Sequence, residues 1–281
     1  MAGVSMKDIK SRIRSMESTR QITRAMEMVA ASKLRGAQER AAASRPYFEI
    51  LYETMNQIAD SSMDFVSPYL QKKDGPVLHI VIAGDRGLAG GYNANVLKMA
   101  YAAMDKEHDV VLPIGKKALD FFRTRHVSIL TEEYAVAGEV SIGECYSAAR
   151  VLCQDFLSGR FAAIRLSYTN FASLLSQTPA QLELLPVRIS TQKEKQSKPF
   201  ILYETGALGV FDAIVPEYLG GVLYGALCES VASEQAARRM AMDAATKNAD
   251  DMIDRLSLQY NRARQGAITQ EITEIVAGAE N

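Results

Sequence analysis

The sequence predicts an α/β fold in which a long antiparallel two-helix coiled coil, built from the two ends of the chain, carries a central α/β domain. Three observations predict it. All eight prolines lie between Pro46 and Pro216. Residues 1–45 carry ten Lys/Arg against four Asp/Glu, whereas residues 217–281 carry six against ten, so the ends have opposite net charges of +6 and −4. Between them, short β-rich runs alternate with helical segments, which is typical of a mostly parallel sheet.

The N-terminal element is predicted as one helix of about 55 residues, because apolar residues recur at helical steps of three and four. The first group of these positions is Ile9, Ile13, Met16, Ile22, Met26 and Val29. The second group forms a heptad seam, the pattern of a helix that winds around a partner: Leu34, Ala37, Ala41, Ser44, Phe48, Leu51, Met55 and Ile58. Pro46 predicts a local bend near residues 44–46.

The C-terminal element mirrors the first, with no Gly or Pro from Ala226 to Gln265. Its predicted seam is Leu219, Leu223, Ala226, Ser230, Ser233, Ala237, Met240 and Ala244, and after a change of phase it resumes as Ile253, Leu256, Tyr260, Ala263 and Ala267. Small side chains bury little area, so this seam predicts a coiled coil of modest stability. Helices of this length would make a rod of about 75–90 Å, suited to a spacer, an oligomerisation element or a shaft.

The central elements alternate in the order expected of a Rossmann-like domain. The predicted strands are 77–83, 110–114, 127–130, 161–168 and 180–189, and the predicted helices are 93–104, 116–125 and 142–157. The polar stretch 190–200 predicts a loop or linker. We therefore divide the chain into an N-terminal coiled-coil helix at 1–60, a central α/β domain at 76–200 and a C-terminal coiled-coil helix at 210–281.

A glycine-rich turn follows the first strand, with Asp85, Arg86, Gly87 and Gly90 among its residues. Its spacing, GxxGxxGG, differs from both the dinucleotide-binding GxGxxG pattern and the P-loop. Glycines also serve simply to fold a strand back into a helix, so a structural turn is the favoured interpretation and a nucleotide site the alternative.

Composition removes several other classes of protein. No apolar run approaches the ~20 residues that span a bilayer, and the N-terminus has no apolar core of a secretory signal. Three cysteines without metal-ligand spacing indicate buried thiols in a reducing compartment. The three histidines stand in separate segments, and no Ser/His/Asp set, acid–base pair or metal cluster is evident. We expect no catalytic residues, no metal and no cofactor.

Three segments, in order along the chain, resemble one known family. They are residues 9–34 (IKSRI, then TRQITRAMEMVAASKL), the turn DRGLAGGYN at 85–93, and YNRARQGAITQEITEIVAGA at 260–279. Together they resemble the gamma subunit of F-type rotary ATP synthases, of the bacterial type. Ala89 stands where many members have cysteine, which indicates that no chemistry is needed in the turn.

The resemblance implies the central rotor shaft of the enzyme. The shaft couples proton-driven rotation of the c ring to ATP synthesis or hydrolysis at the beta subunits, and the chain itself is non-catalytic. Implied partners are the alpha and beta subunits of the hexamer, the epsilon subunit and the c ring of the membrane sector. We expect the chain to be peripheral to the plasma membrane on its cytoplasmic side, because no transit segment is evident.

The resemblance also implies contact residues, carried over position by position. Those facing beta subunits are Arg264, Gln265, Met26, Lys33 and Arg35. Those at the tip of the shaft, which form either coiled-coil core or a seat in an apolar collar, are Ile268, Ile272, Ile275 and Val276. Tyr203 and Glu204 are implied near the c ring.

Two rival functions stay open at this point. One is a nucleotide-dependent enzyme built on the central domain. The other is a coiled-coil scaffold that binds nucleic acid through the basic helix, which the near-zero net charge of −1 disfavours.

Overall fold

The computed structural model describes residues 5–60, 66–189 and 206–279. Helix α1 spans Met6–Asp60 and helix α5 spans Ala207–Ala279. The intervening elements are a 3-10 turn at Pro68–Leu70, β1 Val77–Ile82, α2 Tyr92–Ala102, β2 Val110–Ile114, α3 Lys116–Arg123, β3 Ser128–Ile129, α4 Ile142–Leu157, β4 Ala163–Phe171 and β5 Gln177–Leu185. Every helix and strand predicted from the sequence is present, which confirms the fold class.

The chain divides into two compact units, residues 1–31 with 238–281 and residues 32–237. Both α1 and α5 contribute to both units. The division into 1–60, 76–200 and 210–281 follows chain segments rather than units and stays a prediction.

The second unit is built on a five-stranded sheet of order β3-β2-β1-β4-β5. The first four strands are parallel, and β5 returns antiparallel to β4 as a hairpin. Pro179 lies in β5, which agrees with its position at the sheet edge, where a missing N–H breaks no ladder.

Apolar side chains pack on both faces of this sheet, as its central parallel strands require. On one face Leu78, Ile80 and Ile82 of β1 pack with α4 and with segments of α1 and α5. On the other face Val81 packs with α2 and α3. Helix α4 begins where the sequence predicts it, because Ser141 and Glu144 form a reciprocal capping box.

Two polar residues are buried under the second face. Nε2 of the His79 ring on β1 lies 3.0 Å from the Asp109 carboxylate, which accepts the hydrogen bond. The same carboxylate accepts the backbone N–H groups of Val77 at 2.9 Å and Asp105 at 2.8 Å. Burial lowers the pKa of His79, and the Asp109 contact opposes that shift only in part. The Asp109 carboxylate therefore joins β1 to the loop before β2, with His79 as its partner on β1.

The three cysteines are free thiols and all are buried, as the sequence predicts. Burial raises the pKa of Cys145 and of Cys153 to about 12, so both are protonated and unreactive near neutral pH.

Within the second unit, the predicted seams are largely confirmed. On α1, Leu34, Ala37, Met55 and Ile58 are buried. On α5, the predicted positions from Leu219 to Ser233 are buried as well: Leu219, Leu223, Ala226, Ser230 and Ser233. Pro46 lies inside α1, which stays helical on both sides of it.

Within the first unit, part of the predicted seam is wrong. On α5 Met240 is 41% exposed, and Met242 and Ala249 are buried instead. The inward positions there are Arg239, Met242, Thr246, Ala249, Ile253, Leu256, Tyr260 and Ala263, a heptad series in which polar residues alternate with apolar ones. The predicted seam continues through the small and apolar residues Ala237, Met240 and Ala244, whereas the inward positions include Arg239 and Thr246, which a pattern of small and apolar residues does not indicate.

The same error occurs on α1. Ile22 and Val29 are more than half exposed, whereas Thr23 and Ala30 are buried. The inward series in this unit is Ile9, Ile13, Met16, Arg20, Thr23, Glu27 and Ala30.

By length and composition, α5 is apolar enough to cross a membrane, and it is the one described helix of which this is true. In the second unit its apolar side chains are core residues, which accounts for that composition without a bilayer.

Candidate functional site

Polar contacts join α1 and α5 in the middle of the first unit. The Thr23 and Thr246 hydroxyls lie 2.7 Å apart. Each hydroxyl also lies within hydrogen-bonding distance of a carbonyl oxygen of its own helix. The carbonyl is that of Arg20 for Thr23 and that of Met242 for Thr246. The pair therefore stays hydrogen-bonded whichever hydroxyl donates.

Two ion pairs flank this hydroxyl pair. Arg20 Nη1 lies 3.1 Å from Asp250 Oδ1, and Arg239 Nε lies 3.8 Å from Glu27 Oε1. The partners run in opposite directions along the two helices, which shows the antiparallel pairing. If α1 slipped by one heptad along α5, Arg20 would take the present position of Glu27. It would then face Arg239, which has the same charge. These contacts therefore fix the register, the best-attested use of polar groups in a coiled-coil seam.

The residues implied to contact beta subunits are spread along both helices. Arg264 and Gln265 are exposed, as are Lys33 and Arg35, and Met26 is half-buried. Arg35 forms an ion pair with Glu39 one turn along α1, at 3.0 Å. Among the described residues Arg264 has neither a hydrogen bond nor an ion pair, so its guanidinium is available to a partner.

The four apolar residues near the end of α5 are all exposed: Ile268 at 47%, Ile272 at 56%, Ile275 at 67% and Val276 at 54%. Every described side chain from 264 to 276 is exposed. Among the described residues of this chain they are therefore surface residues and not coiled-coil core. Tyr203 and Glu204 lie outside the described residues.

The glycine-rich turn after β1 is held by hydrogen bonds at both of its ends. Gly84 N donates to Asn93 Oδ1 at 2.8 Å, and Asn93 Nδ2 donates to Arg86 O at 3.2 Å. The Asp85 carboxylate accepts the Lys116 N–H at 3.0 Å and so joins the turn to α3. Gly90 has φ +54°, in the left-handed region that favours glycine. Asp85, Arg86 and Gly90 therefore serve to connect β1, α2 and α3.

Helix α5 contributes a carboxylate to this turn. A Cβ on Gly84 would lie 2.8 Å from Glu234 Oε1, and Glu234 is only 8% exposed. The turn lies at the carboxyl end of β1, next to β4, where the strand order reverses; in open α/β sheets this crevice is where ligands bind. In this chain a carboxylate of α5 lies there, which disfavours a nucleotide phosphate at the same place.

No group of three or more His, Cys, Asp or Glu residues that could hold a metal ion occurs in the described ranges. The buried His79–Asp109 pair is a structural contact that the sequence does not indicate, because the two residues lie 30 positions apart in the chain. Asp109 precedes a strand and His79 lies within one, so only the pairing of β1 with β2 brings them together.

Comparison with known proteins places these features in context. The family model for ATP synthase matches residues 5–281. The ATP synthase gamma chain of Ruminococcus albus is 46% identical over 285 residues, covering 99% of this chain and 98% of the relative. That of Alkaliphilus metalliredigens is 43% identical, covering 99% of each. The gamma chain of Acetobacterium woodii, described as sodium ion specific, is 38% identical, covering 98% of each.

Solved structures show the same fold. The rotor of the Euglena gracilis mitochondrial ATP synthase includes a chain with 16% identity and a TM-score of 0.63, covering 94% of this chain and 98% of that one. In the OSCP/F1/c-ring assembly of the same enzyme, a chain with 18% identity has a TM-score of 0.65, covering 97% of this chain and 92% of that one.

Proposed function

The chain belongs to the ATP synthase gamma-chain family, and from this premise we propose how its residues serve the rotary mechanism. As a gamma chain it forms the central rotor shaft, which couples rotation of the c ring to ATP synthesis or hydrolysis at the beta subunits. Its partners are the alpha and beta subunits of the hexamer, the epsilon subunit and the c ring.

The complex is associated with a membrane. We propose that the complex containing this chain lies on the cytoplasmic face of the plasma membrane. The bacterial origin of the relatives above supports this proposal. Protons are the coupling ion we propose, and a sodium-coupled enzyme is the alternative that the Acetobacterium woodii relative keeps open.

Exposed and half-buried residues of α1 and α5 are proposed to make the contacts that act on the beta subunits. Arg264 and Gln265 act as polar catches, because an arginine makes directed, charge-assisted hydrogen bonds to carboxylates. Met26, Lys33 and Arg35 are further contacts. Charged contacts act over a Debye length of about 8 Å and need little shape fit, which suits a surface that must release its partner in every turn.

The exposed apolar residues Ile268, Ile272, Ile275 and Val276 are proposed to seat the tip of the shaft in an apolar collar of the hexamer. Their exposure in the free chain supports this role, because burying them against a partner removes apolar surface from water. Tyr203 and Glu204 are proposed to contact the c ring on the resemblance alone. The chain contributes no catalytic residue to the reaction in this proposal.

The observation that carries the shaft function is the match over almost the whole chain, from residue 5 to 281. Co-purification from native membranes tests it: a tagged chain is expected to bring down alpha, beta and epsilon subunits and the c ring. A tagged chain that elutes without alpha and beta subunits contradicts the proposal. Titration of the full chain with ATP and ADP addresses the rival enzyme, and heat of binding that a Gly84→Ala variant lacks would favour it.

A further inference from the structure

A groove lies beside β5, the strand at one end of the sheet that the described residues form in the second unit. Its volume is about 610 Å³, and four consecutive residues of β5, Gln181–Leu184, line it together with Tyr52 of α1 and Tyr218 of α5. The two tyrosine rings stack with centroids 5.6 Å apart. One water molecule needs only about 10–15 Å³ of such a volume, so the groove is far larger than a single small ion needs.

The charges in this groove do not balance. Arg165 of β4 and Glu183 of β5 are opposite each other in the ladder. Glu183 nevertheless pairs with Arg188, which follows it five residues later. Arg165 is half-buried and forms neither a hydrogen bond nor an ion pair with any described residue. The charged residues that line the groove are therefore two arginines and one glutamate, a net charge of +1, and the glutamate is paired with Arg188.

The Arg165 guanidinium has no described acceptor, so a carboxylate placed in the groove would add a charge-assisted hydrogen bond there. We propose that this groove binds an extended, acidic segment of another subunit of the complex, with a carboxylate of that segment paired to Arg165. The proposal rests on the shaft function, since that function supplies the neighbouring subunits.

The shape of the groove favours an extended segment over a free anion. An edge strand presents one row of unpaired backbone N–H and C=O groups, which an added strand can complete. Leu182 is 40% exposed along this edge and offers an apolar contact beside the charge. An inorganic oxyanion would use Arg165 and leave the strand edge and both tyrosines unused.

A zero-length cross-link in the assembled complex tests the proposal. The R165K variant places an amine where the guanidinium lies, and a carbodiimide then joins that amine to a carboxylate in direct contact. The expected product is an amide bond between position 165 and an Asp or Glu of another subunit, identified by peptide mass spectrometry. The matched control is R188K, which is expected to link to Glu183 within the chain.

A second measurement does not depend on a substitution at the contact. Hydrogen exchange of the β5 amides at 177–185 is compared in the free chain and in the complex, and at least tenfold slower exchange is expected in the complex. The R165Q variant should lose most of that slowing, while β4 amides keep theirs.

Three results overturn the proposal: a link from R165K to Glu183 alone, no link at all, or β5 exchange that assembly leaves unchanged. Inorganic phosphate that suppresses the link and slows β5 exchange in the free chain identifies a free-anion site instead, which also overturns it. If the chain fails to co-purify with other subunits, the shaft function fails first, so the two failures are distinguishable.

Discussion

Removing the Asp109 carboxylate tests whether the buried His79 pair holds the sheet together. In Asp109→Ala, His79 keeps a fully buried ring whose Nδ1 already has no hydrogen-bond partner in the described structure and whose Nε2 loses its only one. An unsatisfied buried polar group costs about 1–3 kcal/mol. The half-buried Val77 N–H adds about 1 kcal/mol, whereas water can replace the carboxylate at the exposed Asp105 N–H.

The expected loss is therefore about 2–4 kcal/mol in the free energy of unfolding for Asp109→Ala, and about 1–2 kcal/mol for Asp109→Asn, whose amide oxygen can still accept. The assay is urea unfolding of the purified full chain, followed by tyrosine fluorescence since there is no tryptophan. Exchange of the β1 amides reports on the second unit alone. Variants that both lose less than about 0.5 kcal/mol would refute the reasoning.

The same pair predicts a pH dependence. The pKa of His79 is lower in the folded chain than its ordinary 6.5, so below that value the unfolded chain binds a proton that the folded chain does not. Stability is therefore expected to be full above pH 6.5 and to fall as the pH drops from there toward the folded-state pKa. A His79→Gln variant should lose this part of the dependence, and an identical pH profile in variant and parent would contradict it.

Three further outcomes are expected. Arg264→Ala should lower ATPase turnover of the complex about tenfold without changing the melting temperature of the chain. The matched control Arg262→Ala, on another face of α5, should leave turnover within about twofold. Equal effects of the two variants would count against a polar contact at Arg264. Deletion of 270–281 should uncouple ATP hydrolysis from ion pumping. The melting temperature of the free chain should move by less than about 2 °C, because the described side chains in this segment are exposed. A larger shift in melting temperature would contradict that expectation. Gly115→Ala should lower the free energy of unfolding by at least about 2 kcal/mol, because Gly115 has φ +89° and an added Cβ would overlap Ala83 O. Urea unfolding measures this loss. A loss below about 0.5 kcal/mol would be inconsistent with the overlap.

Much of the fold follows from patterns that act locally. The capping box at Ser141 sets the start of α4, and β1 is apolar at five of its six positions because both of its faces are covered. The seam of the first unit could not be found in the same way. There the inward positions include Arg20 and Glu27, whose contacts with the other helix are visible only once the two helices are paired.

The candidate sites divide along the same line. Exposed residues of the terminal motifs, such as Arg264 and Ile272, were predicted from the resemblance, and their exposure fits that prediction without testing the contact. The lack of a described partner for Arg165 could not be predicted. Strand pairing places Arg165 opposite Glu183, but Glu183 forms its ion pair with Arg188 instead. Glu234 likewise reaches the glycine-rich turn through a contact between segments 150 residues apart in sequence.

Within the first unit the inward positions of α1 keep one heptad count from Ile9 to Ala30. A residue inserted or deleted in this stretch would turn the side chains before it by about 100° against those after it, so that part of the series would leave the face that meets α5. Seven residues would restore the faces to within about 20°, but three or four would not. Changes of length in this stretch of α1 are therefore tolerable only in whole heptads. Arg20 and Glu27, seven residues apart and opposite in charge, make even a single heptad shift costly.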